Sequence, residues 1–236
     1  MIRSLLFTSL FFATVPPWAL AAICVRVFGR HASFKVAESW VLMNLWFCKT
    51  ICGLDLTIAG LENIPDTPGV LYLKHSSAYE TLAQFHLVGD QTWVLKRELL
   101  WAPFFGWAVR CVHPIAIDRS AGKSAVQQVI DQGTERIDDG IWVSIFPEGT
   151  RMAPGTTRRY GVSGVLLAQA AGRPITPVAH NAGYFWPRRG LRKKPGTVSF
   201  VVGPPVDPTG REPREVNEEI QDWIESRIAE MAVPDD

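Results

Sequence analysis

The chain has 236 residues and a net charge of +1, long enough to bury a full core as one domain with an appendage. That near-neutral balance excludes a global field of the kind that steers a protein onto nucleic acid. Four cysteines, Cys24, Cys48, Cys52 and Cys111, form no C-x-x-C pair and have no His or carboxylate at ligand spacing, so they read as packing thiols and no metal site is expected.

Residues 4–25 carry no charged side chain, a run of 22 residues that can cross a hydrocarbon core as a helix. Pro16 and Pro17 interrupt it, and a double proline removes two backbone donors and kinks or breaks a helix. The segment therefore either spans with a break or lies at the interface. A secretory signal is the rival reading, with Arg3 ahead of an apolar run and Ala19-Leu20-Ala21 as a small-residue cleavage site. Residues 34–54 form a second apolar stretch in which Lys35, Glu38 and Lys49 fall within about 60° at the helical pitch. A core helix or an interfacial helix satisfies that narrow polar stripe, and the neighbouring tryptophans favour the interface. Residues 1–53 are thus expected to form an apolar helical membrane anchor.

Downstream, residues 54–58 alternate as a half-buried strand does, and residues 60–68 carry turn chemistry. Strands are predicted at 69–73, 92–96, 114–118, 141–146, 174–179 and 197–202, and helices at 81–88, 123–139 and 161–171. Residues 215–231 close the chain as an amphipathic helix with Val216, Ile220, Trp223, Ile224 and Ile228 on one side. Strands alternating with helices imply an α/β fold whose largely parallel sheet is flanked by helices. Such sheets carry their sites at the carboxyl ends of strands. Arg188, Arg189, Arg192, Lys193 and Lys194 form a basic run, read either as a solvated loop or as a contact for anionic headgroups or donor phosphates.

Two blocks stand out. His75-Ser76-Ser77-Ala78-Tyr79-Glu80 follows one predicted strand and offers a base and a carboxylate. Phe146-Pro147-Glu148-Gly149-Thr150-Arg151 follows another, about 70 residues later, and offers an acid, a glycine, a hydroxyl and a guanidinium. With His113-Pro114-Ile115-Ala116-Ile117-Asp118-Arg119 and Pro174-Ile175-Thr176-Pro177-Val178, their order resembles that of the glycerolipid acyltransferases, and within them the 1-acyl-sn-glycerol-3-phosphate acyltransferases. Lys96-Arg97-Glu98-Leu99 ahead of Pro103 and Gly106 adds to the likeness, which covers residues 54–203. The chain departs from the pattern at Glu80, where the family usually has Asp, at His113, where it usually has Gly, and at Ala116, where it usually has an aromatic. Ser163 does not sit in a G-x-S-x-G elbow, and Gly122-Lys123-Ser124 lacks the earlier glycine of a phosphate loop.

The resemblance implies that residues 54–236 form an acyltransferase domain. It implies transfer of a fatty acyl group from acyl-CoA or acyl carrier protein, with no cofactor beyond that donor, to a free hydroxyl of a lyso-lipid held in a membrane. The acceptor is expected to be 1-acylglycerol-3-phosphate, with another lyso-lipid as the alternative and a non-catalytic membrane-binding protein as the rival class. A histidine suits removal of the hydroxyl proton, and a carboxylate on its other ring nitrogen fixes the tautomer. His75 and Glu80 are the candidates. Residues five apart on one helix lie about 140° apart, so His75 must precede the helix and Glu80 lie in its first turn. Arg151 is expected to grip a phosphate, with Lys96 and Arg119 adding charge from neighbouring strand ends and Glu148, Gly149 and Thr150 completing the substrate contacts. His31, His86, His113 and His180 read as packing or surface residues. A donor made in the cytosol places the chain on the cytoplasmic face of a membrane, against an anionic lipid surface.

Overall fold

A computed structural model describes residues 1–231 and 233, with Arg119 described in its backbone only. In chain order the elements are α1 (Ile2–Cys24), α2 (Arg30–Cys52), β1 (Leu54–Ala59), β2 (Val70–Leu73), α3 (Tyr79–Ala83), β3 (Gln91–Lys96), α4 (Phe105–Arg110), β4 (Ile115–Ile117), α5 (Lys123–Asp138), β5 (Trp142–Ile145), α6 (Ser163–Ala171), β6 (Ile175–His180), α7 (Ala182–Phe185), β7 (Gly196–Val202) and α8 (Pro213–Ala229). The strands form one seven-stranded sheet in the order β1-β7-β6-β2-β5-β3-β4. The last five strands of that order run parallel, and β7 meets β6 antiparallel while pairing parallel with β1.

Apolar side chains on both faces of β2 and β5 make these the central strands, and helices cover both sides. Leu71 and Leu73 join one cluster with Phe7 of α1, Phe34 and Val41 of α2, Tyr79 of α3 and Phe200 of β7. Val70 and Tyr72, one residue out of phase, join the other with Val129 of α5, Val165 of α6 and Val216, Ile220 and Ile224 of α8. Pro177 lies inside β6 but at the margin of its β7 ladder, where its carbonyl accepts from Gly203 N–H at 2.8 Å and no donor is required of it. At the β4 edge, Gln132 and Gln128 of α5 accept the N–H groups of Ala116 and Asp118 that a further strand would otherwise take.

Four features depart from the sequence reading. First, α1 runs unbroken through Pro16 and Pro17. Packing on α2 braces it on either side of the prolines: Trp40 Nε1 donates to Thr14 Oγ1 at 3.0 Å, Trp18 Nε1 to Ser39 Oγ at 3.1 Å, and Ser33 Oγ to the Ala22 carbonyl. Second, the helix expected at 81–88 starts earlier and is only five residues long, followed by a 3₁₀ turn at Gln84–His86. The buried Gln91 amide takes the Gln84 and Val88 carbonyls, so the chain turns there without a longer helix. Third, α4 and α7, six and four residues long, are additional elements. Fourth, His113 adopts φ +53°, the left-handed region that a glycine enters freely. Its ring meets Arg26 at 2.7 Å and its carbonyl accepts from Thr92 and Arg136, which offsets the backbone cost.

Gly164 opens α6 against the strand that leads to His75. A Cβ there would run into Cε1, Cζ and the hydroxyl of the buried Tyr72. Gly164→Ala should therefore overpack this contact and cost about 1–3 kcal/mol. Thermal unfolding in detergent checks this: a melting temperature several degrees lower is the expected outcome, and an unchanged one would contradict the seating of α6 on Tyr72.

Candidate active site

The parallel strands deliver the motif residues to one edge of the sheet. His75 follows β2, residues 146–151 follow the adjacent β5, Lys96 ends β3, and Arg119 follows β4. At about 4.8 Å per strand, the line from β2 to β4 spans roughly 14 Å.

His75 lies on the loop between β2 and α3, and Glu80 lies in the first turn of α3. His75 Nδ1 is 2.9 Å from Glu80 Oε1. The same oxygen accepts the backbone N–H groups of Ser76 at 3.0 Å and Ser77 at 2.9 Å. Ser77 Oγ in turn accepts from Tyr79 N–H, closing the entry to the helix. The carboxylate folds back over its own loop, and this absorbs the methylene by which Glu exceeds Asp. Glu80 is fully buried and His75 retains 18% exposure of its side chain. Burial opposes the charge on Glu80, yet the hydrogen bonds from His75 and the Ser77 N–H outweigh it and hold the carboxyl below its ordinary range. A carboxylate on Nδ1 requires the proton there, so Nε2 carries the lone pair. The ring stacks on Phe146, centroids 4.2 Å apart, which fixes its plane.

The loop after β5 locks onto the same backbone. Glu148 Oε2 accepts from His75 N–H at 2.7 Å, and Met152 N–H donates to the His75 carbonyl at 2.6 Å. Glu148 Oε1 lies 3.3 Å from Lys74 Nζ, which is also 2.5 Å from Glu225 Oε1 of α8. Burial pushes the Glu148 carboxyl up despite these two donors, and Glu225 adds to the rise. Gly149 closes a turn on the Phe146 carbonyl at φ +67°, and its Cβ position is clear of neighbours, so the requirement for glycine there is conformational. Thr150 and Arg151 are half-buried. The buried Nε of Arg151 makes no hydrogen bond among the described residues, while its carbonyl accepts from Arg188 at 2.8 Å. Lys96 is exposed and pairs with Glu98 at 3.1 Å. Arg119 opens a 3₁₀ turn capped by Asp118, two residues past the Ile117 that sits beside Lys96. His75, Glu80, Glu148 and the Arg151 loop thus form one contact cluster, and Lys96 stands apart from it.

The family described as Acyltransferase matches residues 55–181, more than half of the chain and all of these motifs. The chain is 39% identical to the 1-acyl-sn-glycerol-3-phosphate acyltransferase of Pseudomonas aeruginosa over 98% of its length and 92% of that protein's. It belongs to the acyltransferase family. A mouse 1-acyl-sn-glycerol-3-phosphate acyltransferase alpha is 29% identical over 84% of this chain and 70% of its own. In fold, the chain is similar to the crystal structure of the 1-acyl-sn-glycerophosphate (LPA) acyltransferase PlsC from Thermotoga maritima, with a TM-score of 0.78 over 99% of both chains at 22% identity.

Three groups of this acyltransferase site escaped the sequence reading. His180, taken as a packing or surface residue, ends β6 beneath the site, and its Nε2 donates to the Lys74 carbonyl at 2.7 Å while Nδ1 accepts from Ala182 N–H. Burial lowers its pKa and keeps it neutral. Lys74 and Glu225 are 151 positions apart, and no short motif links them. Lys74 beside the motif histidine was the one local signal, a charge at the end of an otherwise apolar strand. Of the basic run, Lys193 turns inward: Nζ donates to Thr8 of α1 and lies 4.6 Å from the Trp186 ring centroid and 5.3 Å from that of Phe7. Among the described residues no group of three His, Cys, Asp or Glu could hold a metal ion.

The depressed Glu80 carboxyl makes a linkage prediction. Its contribution to stability is fully present above the ordinary carboxylate range and is lost as pH falls through its folded value. Glu80→Gln should therefore flatten the acid limb of melting temperature against pH, and an acid limb identical to that of the parent chain would contradict the charge on Glu80.

Proposed function

We propose that the chain transfers a fatty acyl group from acyl-CoA or acyl carrier protein to the free sn-2 hydroxyl of 1-acylglycerol-3-phosphate, giving phosphatidic acid. The names of its relatives support the acceptor. The observation that carries the chemistry is the His75–Glu80 pair, its proton fixed on Nδ1, in a loop bound directly to the segment that ends in Arg151. A non-catalytic protein keeping the fold has no need of a buried charged carboxylate on a partly open histidine.

In this mechanism Nε2 of His75 takes the hydroxyl proton as the oxygen attacks the thioester carbonyl. The tetrahedral intermediate collapses with loss of the thiolate, and the imidazolium returns the proton to sulfur. Glu80 stays ionised and stabilises the imidazolium. Arg151 holds the acceptor phosphate, with Arg119 and Lys96 supplying further positive charge toward β4, and Thr150 offers a hydroxyl on the same loop. Glu148, with both oxygens engaged by His75 N–H and Lys74, supports the histidine from behind. No cofactor is required beyond the acyl donor.

The same reading puts the chain on the cytoplasmic face of a membrane, where a soluble donor meets a lipid acceptor. The segment Ile2–Phe28 is long and apolar enough to cross a bilayer, and only 11% of its most apolar window is buried. Phe12, Leu20, Val27, Phe28 and, on α2, Trp46 are exposed, an apolar surface larger than a soluble domain presents. Phe7 is nevertheless fully buried and Ser4 accepts from Lys193 N–H, so α1 is a packed part of the domain. Arg189 and Arg192 are exposed, facing outward as a contact for anionic headgroups would require.

His75→Ala should lower kcat by about 10²–10⁴-fold, the usual contribution of a general base. Glu80→Asp should retain more activity than Glu80→Gln; near-normal transfer by purified His75→Ala would remove the base assignment. Arg151→Ala should raise the KM of a phosphate-bearing acceptor, since a charge-assisted hydrogen bond contributes roughly 1.5–3 kcal/mol. That corresponds to a rise on the order of 10- to 100-fold with the donor KM unchanged, and an equal rise for the donor would move Arg151 to the donor site.

A further inference from the structure

The strand that leads to His75 ends in a buried charge that the acyl-transfer chemistry does not use. Lys74 is 4% exposed in its side chain and Glu148 is fully buried. The ammonium lies between two carboxylates, Glu148 Oε1 at 3.3 Å and Glu225 Oε1 at 2.5 Å, and Glu225 is 27% exposed on α8. The alternation of β2 explains the direction: Val70 and Tyr72 face the α8 side of the sheet, and Lys74 continues that face. The other oxygen of Glu148 accepts from His75 N–H. The Lys74 carbonyl accepts from His180 Nε2. The peptide between Lys74 and His75 is therefore held from both of its polar ends, by a neutral histidine and by a carboxylate that owes its place to Lys74.

We infer that Lys74 and Glu225 are positioning residues that set the backbone of His75 through Glu148, so that the C-terminal helix, which lies outside the family's matched span, completes the active site. The inference rests on His75 being the base. A buried carboxylate deprived of its cation is poorly solvated and takes up a proton or finds another donor. Glu148 without Lys74 would then hold His75 N–H less firmly. The ring sits one residue from that anchor and must meet Glu80 Oε1 within hydrogen-bond range, so small backbone shifts reach the reacting nitrogen. Glu225 acts one step further out, compensating the charge on Lys74 so that it can remain beside Glu148.

The test uses the full-length chain purified in detergent, with the variants Lys74→Met, Glu225→Gln and their double. Lys74→Met should lower kcat roughly 10- to 100-fold, the effect of misplacing a reacting group by up to 1 Å. KM for both substrates should stay within about twofold, because no substrate contact is removed. Glu225→Gln keeps the shape and an acceptor oxygen, and should lower kcat several-fold at an unchanged melting temperature. In the Lys74→Met background Glu225→Gln should add nothing, since it acts only through Lys74. Additive losses, or an unchanged kcat in Glu225→Gln, would overturn the inference. Should Lys74→Met fail to fold, Glu225→Gln alone carries the test, its partly exposed end making it the tolerant site. A second readout needs no turnover. In protein labelled with ¹⁵N-histidine, the His75 Nδ1 proton, assigned by its loss in His75→Ala, should be a hydrogen-bonded low-field signal that broadens or moves upfield in Glu225→Gln. An unmoved signal would show that α8 does not position His75, whatever the enzyme's substrate. A moved signal in a protein that acylates no lyso-lipid would leave the positioning intact and remove the functional reading.

Discussion

A single oxygen, Glu80 Oε1, gathers three donors: the His75 ring and the N–H groups of Ser76 and Ser77. The carboxylate is fully buried, where an ionised group needs strong hydrogen bonds, and Oε1 carries them all, since Oε2 has no partner among the described residues. This requirement shapes the loop. His75 must stand before α3 so that its ring can reach back, α3 must begin at Tyr79 so that Glu80 lies in its first turn, and Ser77 must present a hydroxyl to Tyr79. A carboxylate one methylene longer than Asp fits because it curls over the two backbone donors while the same oxygen stays 2.9 Å from the ring.

The sheet gives that loop its surroundings. Four parallel neighbours, β2, β5, β3 and β4, bring a base, a glycine turn with a guanidinium, a lysine and an arginine to one edge in spatial order. Each face of the sheet contributes a different kind of support. On one side α1, α2 and α3 pack against Leu71 and Leu73, so the apolar N-terminal helices share a cluster with the helix that carries Glu80. On the other side α8 packs against Tyr72 and reaches Lys74. Lys193 ties α1 to the segment that follows α7, its ammonium held between Phe7 and Trp186 and bonded to Thr8. The exposed apolar surface of α1 is therefore joined to the site through one packed frame.

Much of this was legible in the sequence because it rests on local pattern. Apolar runs marked β2 and β5, the 3.6-residue period marked α5 and α8, and the order of the motif blocks carried the chemistry to the right strand ends. His75 before α3 and Glu80 in its first turn followed from helical geometry once the resemblance had paired the two residues. What was not legible depended on contacts distant in sequence. The continuity of α1 across Pro16 and Pro17 comes from Trp40 and Ser39 on the next helix. The early end of α3 comes from the amide of Gln91. The short helices α4 and α7 hold too few residues for a period to show. His113, a departure from glycine by sequence, takes up the glycine conformation because Arg26, Thr92 and Arg136 secure it. Lys193, one of five basic residues within seven positions, is the one that tertiary packing buries. Lys74, His180 and Glu225 meet only once β2, β6 and α8 are assembled, and no spacing rule anticipates that meeting.

The central claim is that His75, held by Glu80 beside the Arg151 loop, drives esterification of a lyso-lipid hydroxyl next to a phosphate. Its most direct measurement is a product assay by mass spectrometry on the purified full-length chain. The assay would offer 1-acylglycerol-3-phosphate and, separately, lysophospholipids with larger headgroups, each with acyl-CoA and with acyl carrier protein. The account predicts phosphatidic acid as the dominant product with at least one donor, formed by the parent chain and lost in His75→Ala. Equal turnover of every lyso-lipid, or phosphatidic acid formed undiminished by His75→Ala, would contradict it.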